Sequence, residues 1–428
     1  MQRTIMAELI RWKTKRNRKP LLLKGARQVG KTWLMKEFGS KCFKNTAYLN
    51  FDSGGRVSRI FNEDYDIRRI LQLINIETGV KVEPQETLII FDEIQEVPRA
   101  ISALKYFCEN APEYAVIAAG SLLGVSIHEG VSFPVGKIDL LEVHPLSYVE
   151  FLKAVGEEAL AEPIESADYE AMNAFSDKYI HWLKLYYYIG GMPEAVKDYV
   201  ENGDIYEVRE IQKRLLELYE NDFSKHTPGQ ELARIRLVWN SIPLQLAKEN
   251  KKFFFGQIRQ GARAKDFELA IEWLLDCGLI TKVYRVSKPS VPLKAYTDFA
   301  AFKIYLLDVG LLGAMSDLDA RSILEGNELF LEFKGALAEQ YVLQQIVAET
   351  DYTPYYFSPS SHSEIDFLVQ KEGMVVPVEV KAEDNLHAKS LKAYWEKYKP
   401  ANAVRTSMAN YRQEAWMVNL PLYGIRNL

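Results

Sequence analysis

Apolar residues in the first third of the chain fall in short runs rather than long periodic stretches. Leu21–Leu23, Thr87–Phe91 and Tyr114–Ala119 are each too brief for a helix and nearly continuous. Such runs suit parallel strands buried on both faces. Asn45–Phe51 and Lys137–Val143 read as two more strands. Between them the spacing turns helical, over Thr4–Arg16, Thr32–Phe38, Asp66–Leu73 and Arg99–Asn110. Strand and helix alternating over 20–143 predict an α/β fold, a parallel sheet with helices on both faces. Pro145–Phe151 then opens a helix with Ser147 as its cap.

Beyond that point the pattern changes. Residues 154–180 are acidic and loosely patterned, and read as a linker or a mobile helix. Gly190-Gly191-Met192-Pro193 breaks the helical stretch His181–Asn202. Val208–Phe223 is amphipathic, and Arg234–Glu249, Phe253–Gln260 and Lys265–Cys277 follow as helices. Leu279–Val286 and Ile304–Leu312 then bracket a loop rich in Pro, Ser and Lys, and helices followed by a two-stranded ribbon predict a winged helix-turn-helix. A helix over Gly335–Val347, two strands and a closing helix, Ala382–Lys397, complete the chain. The expected divisions are 1–155, a helical lid or linker at 156–228, the winged module at 229–315, and 316–428.

The first strand runs into Gly25-Ala26-Arg27-Gln28-Val29-Gly30-Lys31-Thr32, which fits G-x-x-x-x-G-K-[ST] without a gap. Strand, glycine loop and helix is the context this P-loop requires. Gly25 and Gly30 allow a backbone path whose N–H groups converge on phosphate oxygens, and the helix N-terminus adds partial positive charge. Lys31 can reach the β- and γ-phosphates, and the Thr32 hydroxyl can ligate Mg²⁺. A P-loop needs a partner carboxylate. Thr87–Phe91 ends in Asp92-Glu93. Asp92, expected at a neighbouring strand tip, would hold Mg²⁺, and Glu93 would act as general base on water. Ser121, just past the Tyr114–Ala119 strand, is the candidate sensor of the γ-phosphate or the attacking water. No Asn-Lys-x-Asp guanine-reading motif occurs, so ATP is expected over GTP.

Composition narrows the class. At 428 residues two or three domains are expected. No apolar run approaches the ~18–20 residues of a membrane span, so no membrane partner is expected. Met1–Lys19 is basic and lacks an apolar signal core. Cys42, Cys108 and Cys277 are odd in number and widely spaced, implying neither disulfide nor zinc and fitting a reducing cytoplasm. The net charge is −5 overall, yet residues 213–315 hold 16 basic and 11 acidic side chains. A basic middle module in an acidic protein is a footprint for DNA. Arg259, Arg263 and Lys265 would lie on or before its third helix, and Lys288 and Lys294 on the wing. Residues 323–428 hold 10 basic and 14 acidic side chains, which suits a DNA-cutting surface less well.

The last segment carries a second constellation. Ser363–Val369 is a strand bearing Asp366, and Val376–Ala382 a strand bearing Glu379 and Lys381. The strand period of two puts Glu379 and Lys381 on one face. Asp366 and Glu379 could share a second Mg²⁺ or Mn²⁺, Glu339 could complete its shell, and Lys381 could position water or steady transition-state charge. The alternative is an ordinary Glu/Lys alternation on an antiparallel edge, or a nuclease fold kept only for binding.

Gly25–Thr32, Thr87–Glu93, Gly120–Ser121, Pro145–Phe151, Gly190–Pro193, Ile304–Leu312 and Gly335–Lys381 together resemble one family. It comprises bacterial and archaeal ATPases that pair an AAA-type P-loop domain with a C-terminal DUF4143 region. The resemblance implies an AAA-like core related to archaeal and signalling ATPases, then a winged helix, then a fold similar to PD-(D/E)xK nucleases. Relatives often show Gly-Arg where this chain has Gly136-Lys137, a position suggestive of an inter-subunit arginine finger. Lysine lacks the planar fork, and Arg99 is the substitute. Three functions compete: an ATPase engaging DNA, a nucleotide-controlled switch acting on a protein partner, and an AAA-like protein whose nuclease-like domain is a docking or homo-oligomerisation surface.

Overall fold

In the computed structural model of the protein, residues 2–53, 55–120, 134–226, 229–248, 251–325, 331–360, 363–383 and 388–428 are described. The chain divides into two compact units. One comprises Arg3–His144 with Asp276–Gly278, and the other Pro145–Leu275 and Leu279–Leu428 with Gln2.

In the first unit the five expected strands form one parallel sheet. They are β1 (Leu21–Lys24), β2 (Asn45–Asn50), β3 (Thr87–Asp92), β4 (Ala115–Ala119) and β5 (Asp139–Glu142), in the order β2-β3-β4-β1-β5. β3 and β4 are buried at every residue, as continuous apolar runs require. The order corrects one expectation. β3, which ends in Asp92, is not beside β1, because β4 lies between them. β4 is the most apolar of the five, and its small Ala115, Ala118 and Ala119 leave room for helices over the sheet centre. The helices Lys31–Cys42, Ile67–Thr78 and Pro98–Asn110 follow β1, β2 and β3 in sequence. Phe51 and Phe61 meet Phe91 edge-on, with centroids 5.5 and 5.6 Å away, and anchor the core on one side.

The second unit opens with helix Tyr148–Ala154. Ser147 caps it and Glu150 completes a reciprocal capping box. Residues 154–180, read as a linker or mobile helix, instead form helices Glu158–Glu165 and Tyr169–Ala174 and begin Ser176–Ile189. Leu160, Ala161, Ile164 and Met172 are their buried contacts; Pro163 and left-handed Ala167 cut them short, which blurs the periodicity. Gly190-Gly191 does mark a break, between Ser176–Ile189 and Pro193–Asn202. Cβ atoms there would collide with the Asp308 carboxylate and the Leu146 carbonyl. Helices Ile205–His226, Gly229–Leu246 and Ala264–Asp276 follow. The helix expected over Phe253–Gln260 shrinks to Phe255–Ile258, ahead of a left-handed Gly261.

An eight-stranded mixed sheet closes the unit. Its strands are β6 (Ile280–Val286), β7 (Thr297–Leu306), β8 (Tyr355–Ser360), β9 (Ser363–Lys371), β10 (Met374–Val380), β11 (Val404–Ser407), β12 (Arg412–Gln413) and β13 (Val418–Pro421). The order is β12-β13-β11-β10-β9-β8-β6-β7. β6 and β7 are antiparallel, and β6 also pairs parallel with β8. The division expected at 315/316 therefore falls inside one hydrogen-bonded sheet. Ile304–Leu312 is likewise not one element: β7 ends at Leu306, and Asp308 caps helix Val309–Met315.

Candidate active site

β1 ends at Lys24 and the P-loop begins at once. Gly25 packs so tightly on the Val143 backbone that a Cβ would meet its carbonyl oxygen at 2.3 Å. Gln28 (φ 65°) and Gly30 (φ 92°) are left-handed, an alternation of hand that turns successive N–H groups inward. Ala26 and Val29 are buried, Arg27 is half-buried and Gln28 is exposed. The Arg3 guanidinium ties the loop down, donating to the Val29 carbonyl at 3.1 Å and the His144 carbonyl at 2.6 Å. Lys31 and Thr32 open helix Lys31–Cys42, which runs on from the left-handed cap Gly30. The Lys31 ammonium donates back to the carbonyls of Gly25 (2.9 Å) and Ala26 (2.7 Å). Burial pulls its pKa down to about 8, against the attraction of Glu93 and Asp92. Both acids thus act on the lysine across the intervening strand. Gly25 is fixed by its close packing on Val143, and the left-handed Gln28 and Gly30 give the loop inward-turned N–H groups of the kind that suit phosphate oxygens.

Asp92 is buried at the β3 tip, where the Tyr48 hydroxyl donates to its Oδ2 at 2.8 Å. Glu93 is held in the left-handed region, φ 54°, with Gln95 Nε2 donating to its Oε2 at 2.6 Å. Gln95 also stands against Gly120, where a Cβ would meet its Oε1 at 2.5 Å. Tyr48 and Gln95 escape a motif search. The signals that could have found them are the alternation of β2 beside the acid-bearing strand and an amide two positions past the acid. Ser121 lies outside the described residues. Arg99 donates to the Phe61 carbonyl at 2.6 Å and stacks over Tyr65. Lys137 pairs with Glu109 at 2.9 Å, ahead of the amino end of β5.

The C-terminal acids meet a different fate. Glu339, on helix Leu331–Glu349, is clasped by Lys251, accepts from the Tyr305 hydroxyl at 3.0 Å and lies 3.6 Å from Lys303. Lys303 is fully buried in β7 and also meets Glu364 at 2.5 Å. Burial opposes the Lys303 charge, but Tyr305, Glu339, Glu364 and Asp366 outweigh it and hold the ammonium. Burial likewise opposes the Glu339 carboxylate, and Lys251 and Lys303 outweigh it. Asp366 accepts from the Val380 N–H at 2.7 Å, and burial, then Glu339, pushes it up to about 8. Glu379 faces Lys381 at 2.8 Å and the Leu391 N–H at 3.3 Å. The expected metal shell of Glu339, Asp366 and Glu379 is therefore not assembled. Among the described residues no three His, Cys, Asp or Glu gather as a metal site. The physical reason is that each acid is already compensated: Lys251 and Lys303 hold Glu339, Lys381 holds Glu379, and burial favours the protonated form of Asp366. Lys251, Lys303 and Glu364 were missed, although a lysine inside the apolar run Ala300–Leu306 is as conspicuous as the acids that drew notice.

Arg259, Arg263, Lys265, Lys288 and Lys294 are all exposed on the second unit. Cys42, Cys108 and Cys277 are not joined in disulfides. Among the described residues no helix is long and apolar enough to cross a membrane.

Comparison with known proteins identifies regions of the chain. A family profile described as an AAA domain matches residues 17–152. Two domains of unknown function match downstream, DUF8612 over 180–322 and DUF4143 over 334–423. No curated protein matches the chain. Among solved structures, a Walker-type ATPase of Pyrococcus abyssi is 16% identical with a TM-score of 0.44, covering 74% of this chain and 95% of that one. The Aeropyrum pernix ORC2 protein, in ADPNP–ADP complexes, is 16% identical with a TM-score of 0.35, over 76% and 93%. The Aeropyrum pernix ORC1 protein in complex with DNA is 14% identical with a TM-score of 0.29, over 74% and 93%. The chain thus carries an AAA domain over its P-loop unit and a DUF4143 region over β8–β13 of the closing sheet, the pairing expected from its motifs.

Proposed function

We propose that the protein is a Mg²⁺-dependent ATP hydrolase that engages DNA through its 229–315 segment. One observation carries the reading: the loop 25–32 leaves β1 with left-handed Gln28 and Gly30 and opens a helix at Lys31, while Asp92 ends β3 at the carboxyl edge of the same parallel sheet. In this reading the amides of 25–32 hold the phosphates. Lys31 exchanges the Gly25 and Ala26 carbonyls for β- and γ-phosphate oxygens. Thr32 and Asp92 would hold Mg²⁺, with Tyr48 donating to the Asp92 carboxylate. When bound, Mg²⁺ would neutralise charge developing on the transferred phosphoryl group. Glu93 takes a proton from the attacking water, held in place by Gln95.

The DNA contact is supported by the five exposed cations at 259–294. None has an ion-pair partner among the described residues; Lys265 lies on helix Ala264–Asp276, and Lys288 and Lys294 lie in the connection between antiparallel β6 and β7. ATP turnover measured with and without duplex DNA tests both parts. Lys31→Ala should abolish nucleotide binding, and Glu93→Gln should bind ATP without turning it over. Wild-type turnover by Glu93→Gln would overturn the general-base role. DNA binding that ignores salt would overturn the phosphate contacts.

A second reading has its own support. Glu339 is held by Lys251 and Lys303 and Glu379 by Lys381, which favours a nuclease-like fold that docks or grips rather than cuts. The partner of a nucleotide-controlled switch would then be a protein.

A further inference from the structure

The end of helix Met6–Thr14 and the start of the connection to β1 read Lys13-Thr14-Lys15-Arg16-Asn17-Arg18-Lys19, five cations in seven residues. With Gln85, Pro112 and Glu113 it lines a surface recess of about 660 Å³. Three of the cations are pinned by neutral partners. Lys13 donates to the Cys42 carbonyl and Lys19 to the Gly136 carbonyl, the latter at 2.7 Å. Arg18 donates to the carbonyls of Lys13 (3.2 Å) and Glu113 (3.3 Å). A carbonyl fixes a cation in place without cancelling its charge. Lys15 pairs with Asp139 at 2.9 Å, and exposed Arg16 has no partner among the described residues. The loop is thus an array of oriented and largely uncompensated positive charge.

Its position separates it from the nucleotide. β1 leads from the loop to Gly25, so the P-loop lies at the carboxyl edge of the sheet and residues 13–19 at the amino edge. Gln85 and Glu113 stand just before β3 and β4, on that same amino edge. We propose that this recess binds the phosphodiester backbone of a nucleic acid. An array of fixed cations matches an array of phosphates, and prior fixing lowers the ordering cost of binding. A concave recess accepts a ridge of backbone, whereas a bilayer presents a flat face. The surface is distinct from the cations at 259–294, so the two DNA contacts stand or fall separately.

The test uses the full chain and a labelled random-sequence duplex, with binding followed by fluorescence anisotropy over a range of KCl. Arg16→Glu and the double variant Lys15→Gln/Arg16→Gln are compared with Arg263→Glu/Lys265→Glu. Arg16 is exposed and unbonded, so its replacement should leave the circular-dichroism spectrum and ATP affinity intact. The expected result is affinity lowered about tenfold or more by the loop variants, with the salt slope reduced by about one for each phosphate the variant no longer touches. Loop variants that bind with the parent affinity and slope overturn the proposal. So does loss confined to phosphatidylserine–phosphatidylcholine vesicles with duplex binding unchanged, which would assign the surface to membrane. If only Arg263→Glu/Lys265→Glu loses the duplex, the loop fails while the 229–315 contact survives.

Discussion

Glu93 is held at φ 54°, a conformation that costs a non-glycine residue of the order of 1–3 kcal/mol. Such strain persists only where neighbours over-determine it, and Gln95 is the visible restraint. Replacing Glu93 with Gln should leave ATP binding intact and lower kcat by ~10²–10⁴, the range for a lost general base; single-turnover hydrolysis reads it directly. Tyr48→Phe should remove the hydroxyl that fixes Asp92 and raise the Mg²⁺ needed for half-maximal turnover by ~10–100-fold, with ATP binding little changed. A Mg²⁺ titration of the rate checks it. At this scale the P-loop and its acid pair were legible, because Gly25–Thr32 and Asp92-Glu93 are local patterns with local physics. Tyr48 and Gln95 were not. Their roles depend on the β2–β3 pairing and on a turn after β3, which no spacing rule encodes.

Single elements carry their own consequences. β7 buries Lys303 between Glu339 and Glu364. Lys303→Met should cost about 3–5 kcal/mol, since it strands buried carboxylates without their cation; urea denaturation measures it. Asp366 adds a pH dependence. Lys303, Lys251, Glu339 and Glu364 all act on it, and its folded pKa is raised from 3.8 to about 8. The folded state therefore keeps a proton that the unfolded chain gives up near pH ~4. The stabilisation is complete below that point and lost as pH rises through about 8. Urea midpoints should fall across this window, and Asp366→Asn should flatten the fall. The strands of the first unit were readable as short apolar runs. Helices Glu158–Glu165 and Tyr169–Ala174 were not, because each is too short to show a full apolar stripe.

At the scale of the molecule, the decisive feature is a sheet that ignores the expected 315/316 division. β6 finds β8 across a long stretch of chain, and Lys251, Lys303 and Tyr305 hold Glu339 from the other side of that line. A fragment of 316–428 alone should be insoluble or unfolded, while 145–428 should give a cooperative transition by circular dichroism. Pairings this distant in sequence leave no local trace, which is why the order of elements suggested four segments while the chain clusters into two compact units. Plasmid incubated with the whole protein and Mg²⁺ or Mn²⁺ should show no nicking that Asp366→Ala abolishes, since the acids are already neutralised. One last tether has a practical outcome. Because the Arg3 guanidinium rivets both the Val29 and His144 carbonyls, an affinity handle fused just ahead of it would tug on the phosphate grip. Preparations purified that way should show slackened nucleotide retention, restored once the handle is clipped.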